Sequence, residues 1–172
     1  VDANGAFTVR DAVWLARRLE PLDVQLFEQP TRRGRPLEMR QVRRNSAIPV
    51  MADESLFTLE DAIEILQTES ADVLSLYPGK HGGIRALQEI ARLAESYGIP
   101  CTIGSNLERE IATAAMAHAV AATPNLLCEK YPGDLIGPLY FAEPLCPGGL
   151  DYHADRLQIP AGHGLGVSLP AD

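Results

Sequence analysis

The chain has 172 residues, with 15 Lys or Arg against 23 Asp or Glu, and a formal net charge of −8 at pH 7. That balance argues against a nucleic-acid surface, and 46% hydrophobic residues against 22% charged ones argue for a globular domain rather than a disordered chain. No apolar stretch reaches 18 residues and no charged-then-apolar leader is present, so neither a membrane span nor a signal peptide is expected. Cys101, Cys128 and Cys146 show no CxxC spacing; the first two sit in apolar runs, and a reducing, cytoplasmic compartment is the expected home.

Short apolar runs alternate with amphipathic stretches along the chain. Thr8 with Asp11 resembles a capping box and opens a helix whose Ala12, Leu15, Ala16 and Leu19 share a face. Val24–Phe27 reads as a buried strand, and so does Ile48–Ala52. Between them lies a basic cluster, Arg32, Arg33, Arg35, Arg40, Arg43 and Arg44, read as a solvated loop and helix face. Thr58 with Asp61 repeats the capping device ahead of Ala62, Ile63 and Leu66. Val73–Leu76 is the next strand and ends at Tyr77, before a Pro78-Gly79 turn and Lys80. Ile84, Leu87, Ile90, Ala91 and Ala94 form a third helical stripe, Cys101–Ile103 a strand, and Ile111, Ala114, Ala115, His118 and Ala122 a fourth stripe ended by Pro124. Leu126–Cys128 closes the series as a strand.

The strand-end residues recur at a steady interval. Asp2 to Glu28 is 26 residues, Glu28 to Asp53 is 25, Asp53 to Tyr77 is 24, Tyr77 to Ser105 is 28 and Ser105 to Glu129 is 24. One strand, one helix and two loops fill such an interval, so the strands are expected to be parallel with right-handed crossovers. Six of them make either an open doubly wound sheet or most of a closed barrel; the lack of a GxGxxG or Walker motif weighs against a nucleotide-binding sheet. In a barrel the carboxyl ends of all strands open on one mouth. Asp2, Glu28 and Asp53 would share that space, and three bare carboxylates there call for a hard divalent cation.

The motifs "VDANGAF", "LFEQP", "PVMADES", "GKHGGI", "GIPCTIGSNLE" and "AATPN" resemble the metal-binding barrel of the enolase superfamily, on its mandelate racemase and muconate-lactonizing branch. The resemblance spans nearly the whole chain. It implies an α/β fold, a partial (β/α) TIM-type barrel holding strands 3 to 8, without the first two strands and the N-terminal capping domain. Residues 1–172 are then one barrel domain, incomplete at its start, with 148–172 as a C-terminal return segment. Asp2, Glu28 and Asp53 become the ligands of Mg2+ (Mn2+ being the alternative ion), and Asn4 and Glu54 lie beside metal and substrate. The expected partner is a small-molecule carboxylate, with no nucleic acid or membrane, and a homo-oligomer at full length.

Enzymes of this kind remove a proton next to a carboxylate, a metal ion stabilising the charge that develops on the carboxylate oxygens. In the muconate-lactonizing pattern a lysine stands at the end of the sixth strand, 24 residues after the third ligand; here that residue is Tyr77. In the mandelate racemase pattern the seventh strand gives a histidine; here it gives Ser105 and Asn106. Lysine is scarce, Lys80 and Lys130 standing against thirteen arginines. Tyr77 and Lys80 are the catalytic candidates, with Ser105 and Glu129 added to Asn4 and Glu54 as substrate-binding ones. A one-sided site, with its base on the absent second strand and Tyr77 as donor, suggests a magnesium-dependent dehydratase of a sugar acid or other hydroxy acid. The alternatives are a racemase, epimerase or cycloisomerase of the same superfamily, or a non-catalytic binding barrel that has lost its bases. The isolated piece is expected to be inactive.

Overall fold

The computed structural model describes residues 1–170. Its centre is a parallel sheet of four short strands in chain order, β1 Phe27–Glu28, β2 Val50–Ala52, β3 Val73–Leu76 and β4 Cys101–Ile103. The register pairs Phe27 with Val50, Met51 with Val73 and Leu74 with Cys101. Single parallel bridges extend the arc at both edges, Asp2 to Glu28 and Leu126 to Cys101. Each strand is followed by a helix, as the interval implied, and together they form the segment of a β/α barrel that the family resemblance implied.

The helices cover the sheet for reasons written in their sequences. α1 Val9–Leu19 starts where the Thr8 hydroxyl oxygen accepts the Asp11 N–H at 3.2 Å, and it buries Ala12 and Ala16. α3 Leu59–Gln67 has a complete capping box between Thr58 and Asp61, a device that stabilises a helix end by about 1 kcal/mol. α5 Ile84–Ser96 turns Leu87, Ile90, Ala91 and Ala94 inward. α6 Glu110–Ala121 buries Thr113, Ala114, Met116, Ala117 and Ala119, while its His118 is half-buried against the Leu165 carbonyl. Phe27, Val50, Ala52, Leu74, Leu76 and Ile103 meet these faces in one core. No helix among the described residues is long and apolar enough to cross a membrane.

The arginine-rich stretch forms the expected loop and helix face, on α2 Pro36–Arg44, with Pro36, Met39 and Val42 buried beneath it. Three features depart from the sequence expectation. The strand expected from Val24 begins only at Phe27, because the chain leaves a short 3-10 turn through Asp23 in a left-handed conformation. The last expected strand shrinks to the bridge at Leu126, since the Lys130 and Tyr131 N–H groups turn back to the Leu127 carbonyl. The turn after Tyr77 is a one-turn helix, α4 Pro78–His81, with Lys80 and His81 buried, so His81 is no free loop residue. The return segment holds a hairpin, β5 Tyr152–His153 with β6 Arg156–Leu157; its residues 171 and 172 lie outside the described residues.

Candidate active site

The carboxyl ends of the strands open on a cavity of about 400 Å³. Asp2, Asn4, Glu28, Asp53, Glu54, Tyr77, Lys80 and Ser105 all line it, so the fold gathers eight of the nine residues singled out from the sequence. The ninth, Glu129, sits exposed on the turn that replaced the last strand and is not part of the lining. Asp134 lines the cavity instead, with its Oδ1 buried and without a hydrogen-bond partner. Counting strand intervals could not find it, because the strand ended early. A local signal was present: Tyr77-Pro-Gly-Lys80 and Tyr131-Pro-Gly-Asp134 share one pattern, and in both the charged residue reaches the cavity.

The acidic side is tightly organised. Asn4 has a positive φ of 44°. Its backbone N–H donates to Asp2 Oδ1 at 2.9 Å, and its Nδ2 donates both to Asp2 Oδ2 at 2.7 Å and to Glu54 Oε1 at 2.9 Å. Glu54 Oε2 is buried with no partner. Burial first, then Asp2, Asp53 and Glu54, push the Glu28 carboxyl up to about 8, with Lys80 pulling the other way. The Lys80 ammonium donates to the Asp53 carboxylate, to the Asp53 carbonyl at 3.1 Å and to the Ser75 carbonyl at 2.9 Å. Burial draws that ammonium below the ordinary lysine range while Asp53 opposes the shift.

Tyr77 is buried at the end of β3, with Lys80 Nζ 4.5 Å from its ring centre. Burial, then Asp53 and Glu108, raise its phenol further above the usual value, and a hydrogen bond from the Asn106 side chain only partly offsets them. At neutral pH it therefore keeps its proton and is a donor. Its ring lies against Gly104, where an added Cβ would stand 3.0 Å from Tyr77 Cδ1 and collide with the Ser75 hydroxyl. The Ser105 hydroxyl oxygen accepts the Leu107 N–H at 2.7 Å and so holds the loop after β4. The thiols take no part: burial pushes Cys101 up to about 12 and raises Cys128 as well.

Like-charged oxygens with an orphaned Oε2 among them make a donor set whose chemistry suits a hard divalent cation. Among the described residues, however, no three or more His, Cys, Asp or Glu side chains are drawn into a closed cage around one point. In this arrangement the Lys80 ammonium answers the charge of Asp53.

Comparison with known proteins places this geometry. Residues 1–172 match the family described as enolase C-terminal domain-like. Muconate cycloisomerase 1 of Rhodococcus opacus is 36% identical over 173 residues, covering 100% of this chain and 45% of the enzyme. The L-Ala-D/L-Glu epimerase of Bacillus subtilis strain 168 is 33% identical over 169 residues, covering 97% of this chain and 45% of the enzyme. Among solved structures, the dipeptide epimerase of Enterococcus faecalis V583, complexed with Mg and the dipeptide L-Leu-L-Tyr, superposes with a TM-score of 0.88 at 32% identity, covering 97% of this chain and 47% of that one. The chain thus spans about half the length of the relatives it matches.

Proposed function

The chain belongs to the enolase C-terminal domain-like family, and from that premise we propose that it builds the acidic, donor-bearing side of a magnesium-dependent site that moves a proton at the carbon next to a substrate carboxylate, with isomerisation as the net reaction. The observation that carries this reading is the shared cavity: five carboxylates, Asp2, Glu28, Asp53, Glu54 and Asp134, with one phenol donor, Tyr77, at a strand end. Asp2, Glu28 and Asp53 would hold the ion, and when bound it would stabilise negative charge developing on the substrate carboxylate. The relatives are a cycloisomerase and an epimerase, which supports isomerisation over the sugar-acid dehydration suggested by the sequence.

The remaining residues divide the work. Lys80 has its three donors engaged by Asp53 and Ser75, so its role is to hold Asp53 rather than to carry a proton. Tyr77 is the group on this face that can deliver one. Asp134 Oδ1 and Glu54 Oε2 are free to accept hydrogen bonds from substrate N–H or O–H groups. Exposed Glu129 has no part. A face with a donor and no base suits cycloisomerisation. There a carboxylate oxygen adds to a C=C bond of the same molecule, a C–O bond forms, and one proton is taken up at the carbon next to the other carboxylate. Epimerisation needs a proton-accepting group on each face.

The test uses the longest reading frame that contains this chain. With Mg2+ in D2O it is offered muconate, an L,L-dipeptide and a panel of sugar acids. The expected product is a single stereoisomer with one deuterium next to the carboxylate and no loss of water. A dehydrated product would overturn isomerisation; deuterium washed into a pair of epimers would leave isomerisation standing and overturn cycloisomerisation.

A further inference from the structure

Gln29 follows the second of the three acids, and its side chain is fully buried. A buried amide is costly unless both its donor hydrogens and its acceptor lone pairs find partners. Here all of them do. Nε2 donates to the Thr31 carbonyl at 2.8 Å and to Ser55 Oγ at 2.7 Å. Oε1 accepts the Asp53 N–H at 3.0 Å and the Ser55 N–H at 3.1 Å. The backbone of Gln29 adds two more bonds, its N–H to the Met51 carbonyl and its carbonyl to the Gly5 N–H, both at 2.8 Å. Its φ is +34°, a conformation that a residue with a side chain holds only where its surroundings enforce it.

We propose that Gln29 is a positioning residue that fixes the three carboxylate-bearing strand ends relative to one another, and thereby sets the affinity of the site for a divalent cation. The inference rests on the metal-binding reading above. Each strand end is reached directly. Gln29 is joined covalently to Glu28. Its amide oxygen holds the backbone from which the Asp53 side chain departs. Its carbonyl holds Gly5, just past Asp2, while the Ala3 N–H donates to the Glu28 carbonyl at 3.1 Å. Asn4 then ties the Asp2 and Glu54 carboxylates side chain to side chain, so backbone and side-chain restraints act on the same acids. Ligand sets of this sort are sensitive to their supporting hydrogen bonds.

The experiment measures Mn2+ and Mg2+ affinity, by electron paramagnetic resonance and by calorimetric titration, in the longest reading frame containing this chain. Gln29→Met keeps the length of the side chain but strips the acceptor from two N–H groups; Gln29→Glu keeps that acceptor and sets an oxygen against the Thr31 carbonyl. Both are expected to bind the cation about ten-fold more weakly or worse, and the Asp53 and Ser55 amides of the metal-free protein are expected to exchange hydrogen faster. Ser55→Ala, which removes one partner of Nε2, should weaken binding about two- to five-fold, and it carries the test if the Gln29 variants do not fold. Leu87→Ala, in α5 and outside the cavity lining, should lower the melting temperature without changing cation affinity. Gln29 and Ser55 variants that bind within two-fold of the wild type would overturn the inference and leave the metal reading standing. A wild type that takes up no cation would overturn both.

Discussion

At the amino ends of β2 and β3, Arg43 donates to Asp72 at 2.7 Å and to the Glu69 carbonyl at 3.1 Å, and the other Asp72 oxygen accepts the Val50 N–H at 2.9 Å. At the carboxyl ends of the same strands, Asp53 and Glu54 stand with Asp2 and Glu28, and among the described residues lining that cavity Lys80 is the one cation. Opposite charges close on each other at one end, while like charges are held together at the other. Positive φ occurs at both ends, at Asn4 and Gln29 here and at Asp23 and Glu69 there, but the orphaned carboxylate oxygens of Glu54 and Asp134 belong to the carboxyl end. Such unrelieved features concentrate where a barrel places its chemistry, whereas the bottom end serves stability.

Exchanging one carboxylate for its amide at each end is the strongest way to break this comparison. Asp53→Asn should abolish saturable cation binding and reduce turnover on the order of 10³-fold. Asp72→Asn should leave turnover within about two-fold, because that carboxylate supports only the sheet. Turnover that survives Asp53→Asn, or survives chelation of divalent ions, would remove the distinction between the two ends. Next in size is Tyr77→Phe, which keeps the ring against Gly104 and deletes the donor. It should lower kcat about 10²-fold with KM little changed. An unchanged kcat would make Tyr77 a packing residue like those of the opposite end.

The two ends were not equally legible. The strand–helix interval, the capping residues Thr8 and Thr58, and the three strand-end acids could all be read because each is a local pattern repeated along the chain. The charged face of α2 was legible, but its buried side was not, because Met39 and Val42 are two apolar residues among arginines and the tertiary fold, not the local pattern, buries them. Glu129 was counted as a strand end where no strand forms, and Asp134 was missed for the same reason. The environment of Lys80 could not be read at all: its partners Asp53 and Ser75 meet it only once β2 and β3 are paired. The role of Gln29 is hidden in the same way, since its partners come from three separate segments.

Gly104→Ala sharpens the account of how the carboxyl end is shaped. The new methyl group would press on the Tyr77 ring and the Ser75 hydroxyl. A loss of about 1–3 kcal/mol in stability and a roughly ten-fold fall in kcat are expected together, and wild-type turnover would show that the pose of Tyr77 is immaterial. At the other end, Arg43→Met should lower stability by about 1–2 kcal/mol, because it leaves half-exposed Asp72 with the Val50 N–H alone. Kinetics in that variant should not change; a parallel loss of kcat would mean the two ends are coupled.

The smallest effect concerns His81, beside the cavity but outside its lining. Its Nδ1 meets the Phe57 carbonyl at 2.9 Å, and its Nε2 is buried without a partner. Burial lowers its pKa from 6.5 to about 4; Lys80 adds to that shift, while the Phe57 carbonyl, Asp53 and Asp61 oppose it. The fold therefore keeps the ring neutral. Between pH 6.5 and about 4 the unfolded chain takes a proton at this position and the folded chain does not, so the stability gained from a neutral ring is full above that window and is lost as pH falls through it. Allowing for partial solvation, the amount is on the order of 1 kcal/mol. Comparing the wild type with His81→Gln isolates it from the neighbouring carboxylates. The melting-temperature advantage of the wild type should be constant above pH 7 and shrink as pH is lowered toward 4. An advantage that grows on acidification would mean that Asp53 and Asp61 outweigh burial and that the ring carries a charge. The carboxyl end would then hold a second cation, and its contrast with the paired charges around Arg43 would narrow.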